Sequence, residues 1–105
     1  VEMDPNGNIL DYSAENYRKF NDQWDFDSIE VSSKITETGY VVEGRISIRE
    51  LENLGISKSF YLGIFRADFK NSKTKEVSWY SWVKPRKSSP DFHIPSAFGV
   101  ASFAK

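Results

Sequence analysis

Cysteine is missing altogether from these 105 residues. That excludes disulfide staples, zinc ribbons, thiol nucleophiles and thiolate-bound clusters, and it leaves the compartment open. No apolar run approaches the ~20 residues that a membrane-crossing helix needs. Neither sign of charge dominates: fourteen Lys and Arg stand against fifteen Asp and Glu, a net of −1. Composition therefore makes no case for a nucleic-acid partner, which calls for a clearly basic face. The opening Val1-Glu2-Met3-Asp4 lacks the basic and apolar segments of a secretory signal and an initiator Met at position 1. The chain is therefore expected to be a processed or trimmed product.

Aromatic residues are plentiful: three Trp, five Tyr and eight Phe against a single Met. Many β-sheet binding modules have this composition, and so do many ordinary β-sandwiches. The length suits one domain, and a chain of this size buries somewhat more than ~60% of its unfolded surface.

Turn and alternation signals divide the chain into short strands. Asp4-Pro5-Asn6-Gly7-Asn8 contains Asn-Gly, the strongest short hairpin signal, and predicts strands over 1–3 and 9–12. Residues 13–23 are polar and mixed, with Tyr17 and Phe20 at helical spacing; a short helix capped by Ser13 and an ordered loop are both open there. Ile29, Val31 and Ile35 suit a strand over 28–36, and Thr38-Gly39 a turn. Over 40–48, Val42, Gly44, Ile46 and Ile48 lie on one face and Val41, Glu43, Arg45 and Ser47 on the other, the period-2 signature of a half-buried strand. Residues 49–55 read as a helical turn with Leu51 and Leu54 inward and Gly55 ending it.

Residues 60–69 are apolar on both faces, as expected of a central strand covered on both sides. A charged turn over 70–75 leads to an aromatic strand over 76–83 and a basic, proline-containing loop over 84–91. A one-turn segment over 93–99 and a last strand over 100–103 close the chain. Six or seven short strands with turns every eight to twelve residues predict an all-β fold, an antiparallel sandwich or barrel. No internal repeat and no domain boundary is visible, so 1–105 is expected to be a single domain.

The order of these segments resembles the C-terminal half of a family 9-like carbohydrate-binding module, a DOMON-like antiparallel β-sandwich. The likeness is carried by the hairpin Val1 to Asp11, by Ile35 to Ile48, by Phe65-Arg66, and by the Trp-Ser stretch Ser78 to Trp82. Its most specific part is the closing Phe92-His93-Ile94-Pro95 followed by Phe98-Gly99. The family's domain is usually longer, with an N-terminal half that supplies the first strands and some sugar contacts. The resemblance thus implies an incomplete domain: a fragment, or one whose first strands come from another polypeptide, with a sugar site that is incomplete to match. It also implies an extracytoplasmic bacterial setting (periplasmic, cell-surface or secreted), often with an attached enzyme or envelope domain.

A neutral sugar presents C–H faces to aromatic rings and hydroxyls to polar side chains. Family 9 modules hold a sugar between two rings. In Trp79-Tyr80-Ser81-Trp82, strand alternation puts Trp79 and Ser81 on one face and Tyr80 and Trp82 on the other. Trp82, where the strand gives way to the loop, is the expected platform; the alternative is that both Trp are core. Arg66 sits in an apolar strand, where a charge needs a partner. The resemblance lets it line or support the sugar site, and a structural pair with Glu43, Asp68 or Glu76 is the other reading. Lys84 and Arg86 could contact sugar hydroxyls or the carboxylate of an acidic sugar, or simply be a solvated loop.

Asn21, Asp22, Asp25 and Asp27 around Trp24 could hold Ca²⁺, but the spacing is not that of an EF-hand and no glycine makes the turn. Otherwise they are loop and capping residues, and no cofactor is expected. His93, the only histidine, has no Gly-x-Ser-x-Gly elbow or other catalytic signature beside it, and the resemblance implies that it belongs to a structural turn next to Pro95. Haem, bound by some DOMON-like domains, would have only Met3 and His93 as ligands, from opposite ends of the chain. Paired carboxylates such as Glu43 and Glu76 would need a substrate cleft to act as a glycosidase. The leading expectation is non-catalytic binding of a mono-, oligo- or polysaccharide. A structural domain that packs on a neighbouring domain or chain is the alternative.

Overall fold

In the computed structural model, which describes residues 1–71, 73 and 75–104, antiparallel strands dominate and the one α-helix among those residues is six residues long. The fold is all-β. The chain divides into two compact units, Val1–Ile56 and Ser57–Lys105.

In the first unit, β1 (Glu2–Met3) and β2 (Ile9–Leu10) form the Asn-Gly hairpin, with Met3 opposite Ile9. Asp4 builds its turn. Its Oδ1 accepts the backbone N–H groups of Asn6 and Asn8 at 2.9 Å each, and Oδ2 accepts Asn8 Nδ2 at 2.7 Å. Gly7 takes the positive φ of +86° that the turn requires. The hydrogen bond from the Asn8 side chain is the main cause holding the Asp4 carboxyl below its ordinary pKa.

Residues 13–23 are neither helix nor loop. They form a hairpin of β3 (Ser13–Glu15) and β4 (Lys19–Asn21), turning through Arg18 at φ +63°. The spacing of Tyr17 and Phe20 misled because Phe20 serves a cross-strand purpose: it faces Ala14 and packs edge-on against Tyr12 at 5.2 Å. Glu15 lies opposite Lys19, a favourable cross-strand charge pair.

β5 (Glu30–Thr36) and β6 (Gly39–Arg45) pair in full register from Glu30 opposite Arg45 to Thr36 opposite Gly39. The alternation read over 40–48 holds to Ile46; Ile48 instead opens the helix α1 (Ile48–Asn53) and stays exposed. Gly55, at φ +80°, ends that helix: its N–H bonds to Glu52 O and the Ile56 N–H to Leu51 O, the double bond of a Schellman cap. Leu54 stays exposed rather than turning inward with Leu51. Glu50 ties α1 to the start of β5. Its carboxylate accepts the Ser28 hydroxyl and the backbone N–H groups of Asp27 and Ser28 at 3.0 Å each. The Ser28 hydroxyl bond is the leading cause that lowers its pKa.

In the second unit the stretch 60–69 is two strands, not one central strand. β7 (Ser59–Leu62) pairs with β10 (Gly99–Ser102), while β8 (Phe65–Asn71) pairs with β9 (Glu76–Ser81). The break falls at Gly63, where a Cβ would stand 2.4 Å from the Phe65 ring and 2.7 Å from the Phe98 ring. Only a residue without a side chain lets those rings fold over the chain there. Nor is the stretch covered on both faces, since Tyr61, Ile64 and Phe69 are exposed. Part of the charged turn read over 70–75 lies outside the described residues.

The packed centre of this unit is aromatic. Phe65 stacks on Phe92 with centroids 4.1 Å apart, Phe98 meets Phe65 edge-on at 6.1 Å, and Trp79 meets Phe92 edge-on at 5.2 Å. Ala97, on a 3₁₀ turn (Pro95–Ala97), is fully enclosed, as is Asp91 but for 5% of its surface.

Candidate functional site

The β8–β9 register sorts the candidate residues onto two faces. Phe65 opposes Ser81, Ala67 opposes Trp79 and Phe69 opposes Val77, which makes one face apolar. Arg66 opposes Tyr80 and Asp68 opposes Ser78 on the other. The Trp82 N–H donates to Ile64 O at 3.0 Å, extending the ladder one step beyond β9 and carrying Trp82 onto the face of Tyr80 and Arg66. Exposure alone would not have separated the two Trp residues, at 48% for Trp79 and 53% for Trp82. Their faces do: Trp79 is engaged with Phe92, away from the other candidates.

Tyr80, 55% exposed, and Trp82 thus stand on one sheet face, with Arg66 directly opposite Tyr80 and Ile64 level with Trp82. Of the pairings open to Arg66, the structure has Asp68, at 4.0 Å between Nη2 and Oδ1. The Trp82 ring is held from behind by Gly99: a Cβ there would lie 2.9 Å from Cζ3 and 3.0 Å from Cη2 of the indole. Gly99 was not among the residues singled out from sequence. Its role depends on β10 lying beside β7, a non-local pairing that no local pattern announces.

Lys84 and Arg86 follow on the 84–91 loop, both exposed. This loop is stapled to the segment after it. Arg86 N–H donates to Ser96 Oγ at 3.1 Å, Lys87 Nζ to Asp91 Oδ2 at 2.6 Å, and His93 N–H to Asp91 Oδ1 at 3.0 Å. His93 Nδ1 lies 3.9 Å from the same carboxylate. Asp91 is therefore the organiser of the loop, a part that its place in a Ser-Pro-Asp stretch gave no reason to assign.

Elsewhere the candidates serve packing and turns. Around Trp24, which meets Phe26 edge-on at 4.7 Å, Asn21 Oδ1 accepts the Gln23 N–H and Asp27 N–H is spent on Glu50. Among the described residues no three His, Cys, Asp or Glu side chains converge as a metal would require. A depression of 270 Å³ over β5–β6 is lined by Glu30, Val31, Ser32, Glu43, Gly44 and Arg45. Glu30 and Arg45 close an ion pair across it at 2.5 Å, and it contains no aromatic ring for a sugar to stack on. Glu43 and Glu76 belong to different compact units.

A profile of the carbohydrate family 9 binding domain-like family matches residues 8–105. The chain belongs to that family. Searches of curated proteins and of solved structures gave no match. Membership in the family 9-like group brings carbohydrate binding in general, and carbohydrate-binding modules of this kind are typically non-catalytic and usually extracellular. No helix among the described residues is long and apolar enough to cross a membrane.

Proposed function

We propose that this family 9-like domain binds a sugar non-catalytically by stacking one ring of it on Trp82, beside Tyr80. Arg66, Lys84 and Arg86 supply hydrogen bonds to the ring substituents. The observation that carries this reading is the shared face of Trp82, Tyr80 and Arg66, two half-exposed rings with an arginine opposite one of them. Indole and phenol rings offer the flat π-surface that sugar C–H groups pack on, while guanidinium and ammonium groups donate to hydroxyl oxygens. Trp79, on the other face, packs against Phe92 and in this reading does not touch the sugar. In this reading the domain keeps whatever it is attached to, an enzyme or an envelope protein, close to a glycan outside the cytoplasm.

A second reading has its own support. On the β7–β10 pair, Tyr61 opposes Val100 and the two are 77% and 68% exposed, an apolar surface that suits packing on a neighbouring domain or chain. A glycan array probed with the purified chain, alongside its mass in solution, separates the two. Selective capture of one glycan class by a monomer supports the sugar reading. A folded chain that captures no glycan but self-associates refutes it in favour of packing.

A further inference from the structure

The net charge of −1 hides a strong segregation. From residue 57 onward the chain carries nine Lys and Arg against three Asp and Glu, a net of +6; residues 1–56 carry five against twelve, a net of −7. Charges are felt in solution over about 10 Å at 0.1 M salt, so the cations nearest Trp82 weigh more on a ligand there than the chain's net charge does. The aromatic face with Tyr80 and Trp82 belongs to the basic unit.

All three acids of that unit are already engaged. Asp68 lies 4.0 Å from Arg66, Glu76 4.0 Å from Lys70, and Asp91 2.6 Å from Lys87. Among the described residues no carboxylate lies within ion-pair distance of Lys84 or Arg86, both exposed and two and four residues beyond Trp82. The loop that bears them is anchored at Arg86 and beyond it, by Arg86 N–H on Ser96 and by Lys87 and His93 on the enclosed Asp91. With the loop backbone ordered in advance, an arriving anion has only the two side chains to immobilise.

From this we infer that the ligand class of the Trp82 face is an anionic glycan, its ring stacked on Trp82 and its acid group met by Lys84 and Arg86. The inference rests on the carbohydrate reading above and narrows it. Carboxylate and sulfate are acid groups that lysine and arginine side chains can meet with charge-assisted hydrogen bonds. Single-stranded DNA, anionic and rich in stackable rings, is the competing occupant, and membership of a carbohydrate-binding family favours the glycan.

The test titrates the intact chain with polygalacturonate, with its carboxyl-reduced neutral counterpart, with dextran sulfate, with dextran, and with oligo-dT, at low and high salt. At least one anionic glycan is expected to bind about ten-fold or more tightly than its neutral counterpart, the scale of hydrogen bonds to charged groups. That ratio should shrink as salt rises. The double change Lys84→Gln, Arg86→Gln should narrow it further, whereas Lys34→Gln in the acidic unit should leave it as it was. Whether polygalacturonate or dextran sulfate shows the larger ratio identifies the acid group. Neutral glycans binding as tightly as anionic ones would overturn this inference and leave the carbohydrate reading standing. No glycan binding in any arm would overturn both. Oligo-dT binding tighter than every glycan, with Trp82→Ala as competent as the native chain, would mark a non-selective basic surface and overturn the assignment.

Discussion

Replacing Trp82 with Ala tests the stacking proposal against the possibility that this ring only fills space. The ring is 53% exposed, so roughly half of the 150–250 Å² that an aromatic side chain can bury is at stake. At roughly 25 cal/mol per Å² that corresponds to about 2–3 kcal/mol of stability. A compact denatured state reduces such sums by about 10–40%. The variant should therefore stay folded, with a loss below the ~3–5 kcal/mol of a fully enclosed aromatic. Its affinity for the glycan should fall steeply while the fold holds. A ring at the centre of a binding contact is worth upwards of about 2 kcal/mol, close to 30-fold in Kd. Trp79→Ala is the matched control, because Trp79 is equally exposed but faces the other way. It should lose comparable stability, including an edge-to-face contact with Phe92 worth about 0.5–1.5 kcal/mol, and keep its affinity. Urea unfolding followed by circular dichroism gives the stabilities, and calorimetric titration of the captured glycan gives the affinities. Equal loss of binding in both variants, or full binding by Trp82→Ala, would refute the reasoning from strand faces.

Two further outcomes are expected. Gly99→Ala places a methyl group 2.9 Å from the Trp82 indole and from Val83; the indole must shift, so glycan affinity should drop and Trp82 fluorescence should change, which titration and emission spectra in a Trp24→Phe, Trp79→Phe background can check. Asp4 and Glu50 have lowered pKa values in the fold, so their stabilising contribution is present above the ordinary carboxylate range of about 4 and is lost as the pH falls through their lower folded values. Thermal unfolding of the native chain should hold steady from neutral pH down to about 5 and weaken below 4; Asp4→Asn and Glu50→Gln should be less stable at pH 7 and show a flatter acid limb, and an unchanged acid limb would contradict the role given to these two carboxylates.

Local pattern alone determined a good deal of this protein. The Asn-Gly hairpin, the alternation through β6, the glycine-capped helix and the separation of Trp79 from Tyr80 and Trp82 all follow from contacts within a few residues, where turn chemistry and a period of two leave little choice. The order of those segments also carried the family. What tertiary structure decided involves partners that no local periodicity pairs. Residues 13–23 could have been helix or loop until Phe20 met Tyr12 and Ala14. The stretch 60–69 reads as one apolar strand, yet Phe65 and Phe98 closing over Gly63 split it and give its halves different partners. The support of Trp82 by Gly99 exists only because β10 lies beside β7, and the basic loop is set by an acid, Asp91, whose enclosure no spacing could announce. Hydrogen-bonding and packing between distant segments depend on where the chain returns, and a periodicity read along the chain contains no information about that return.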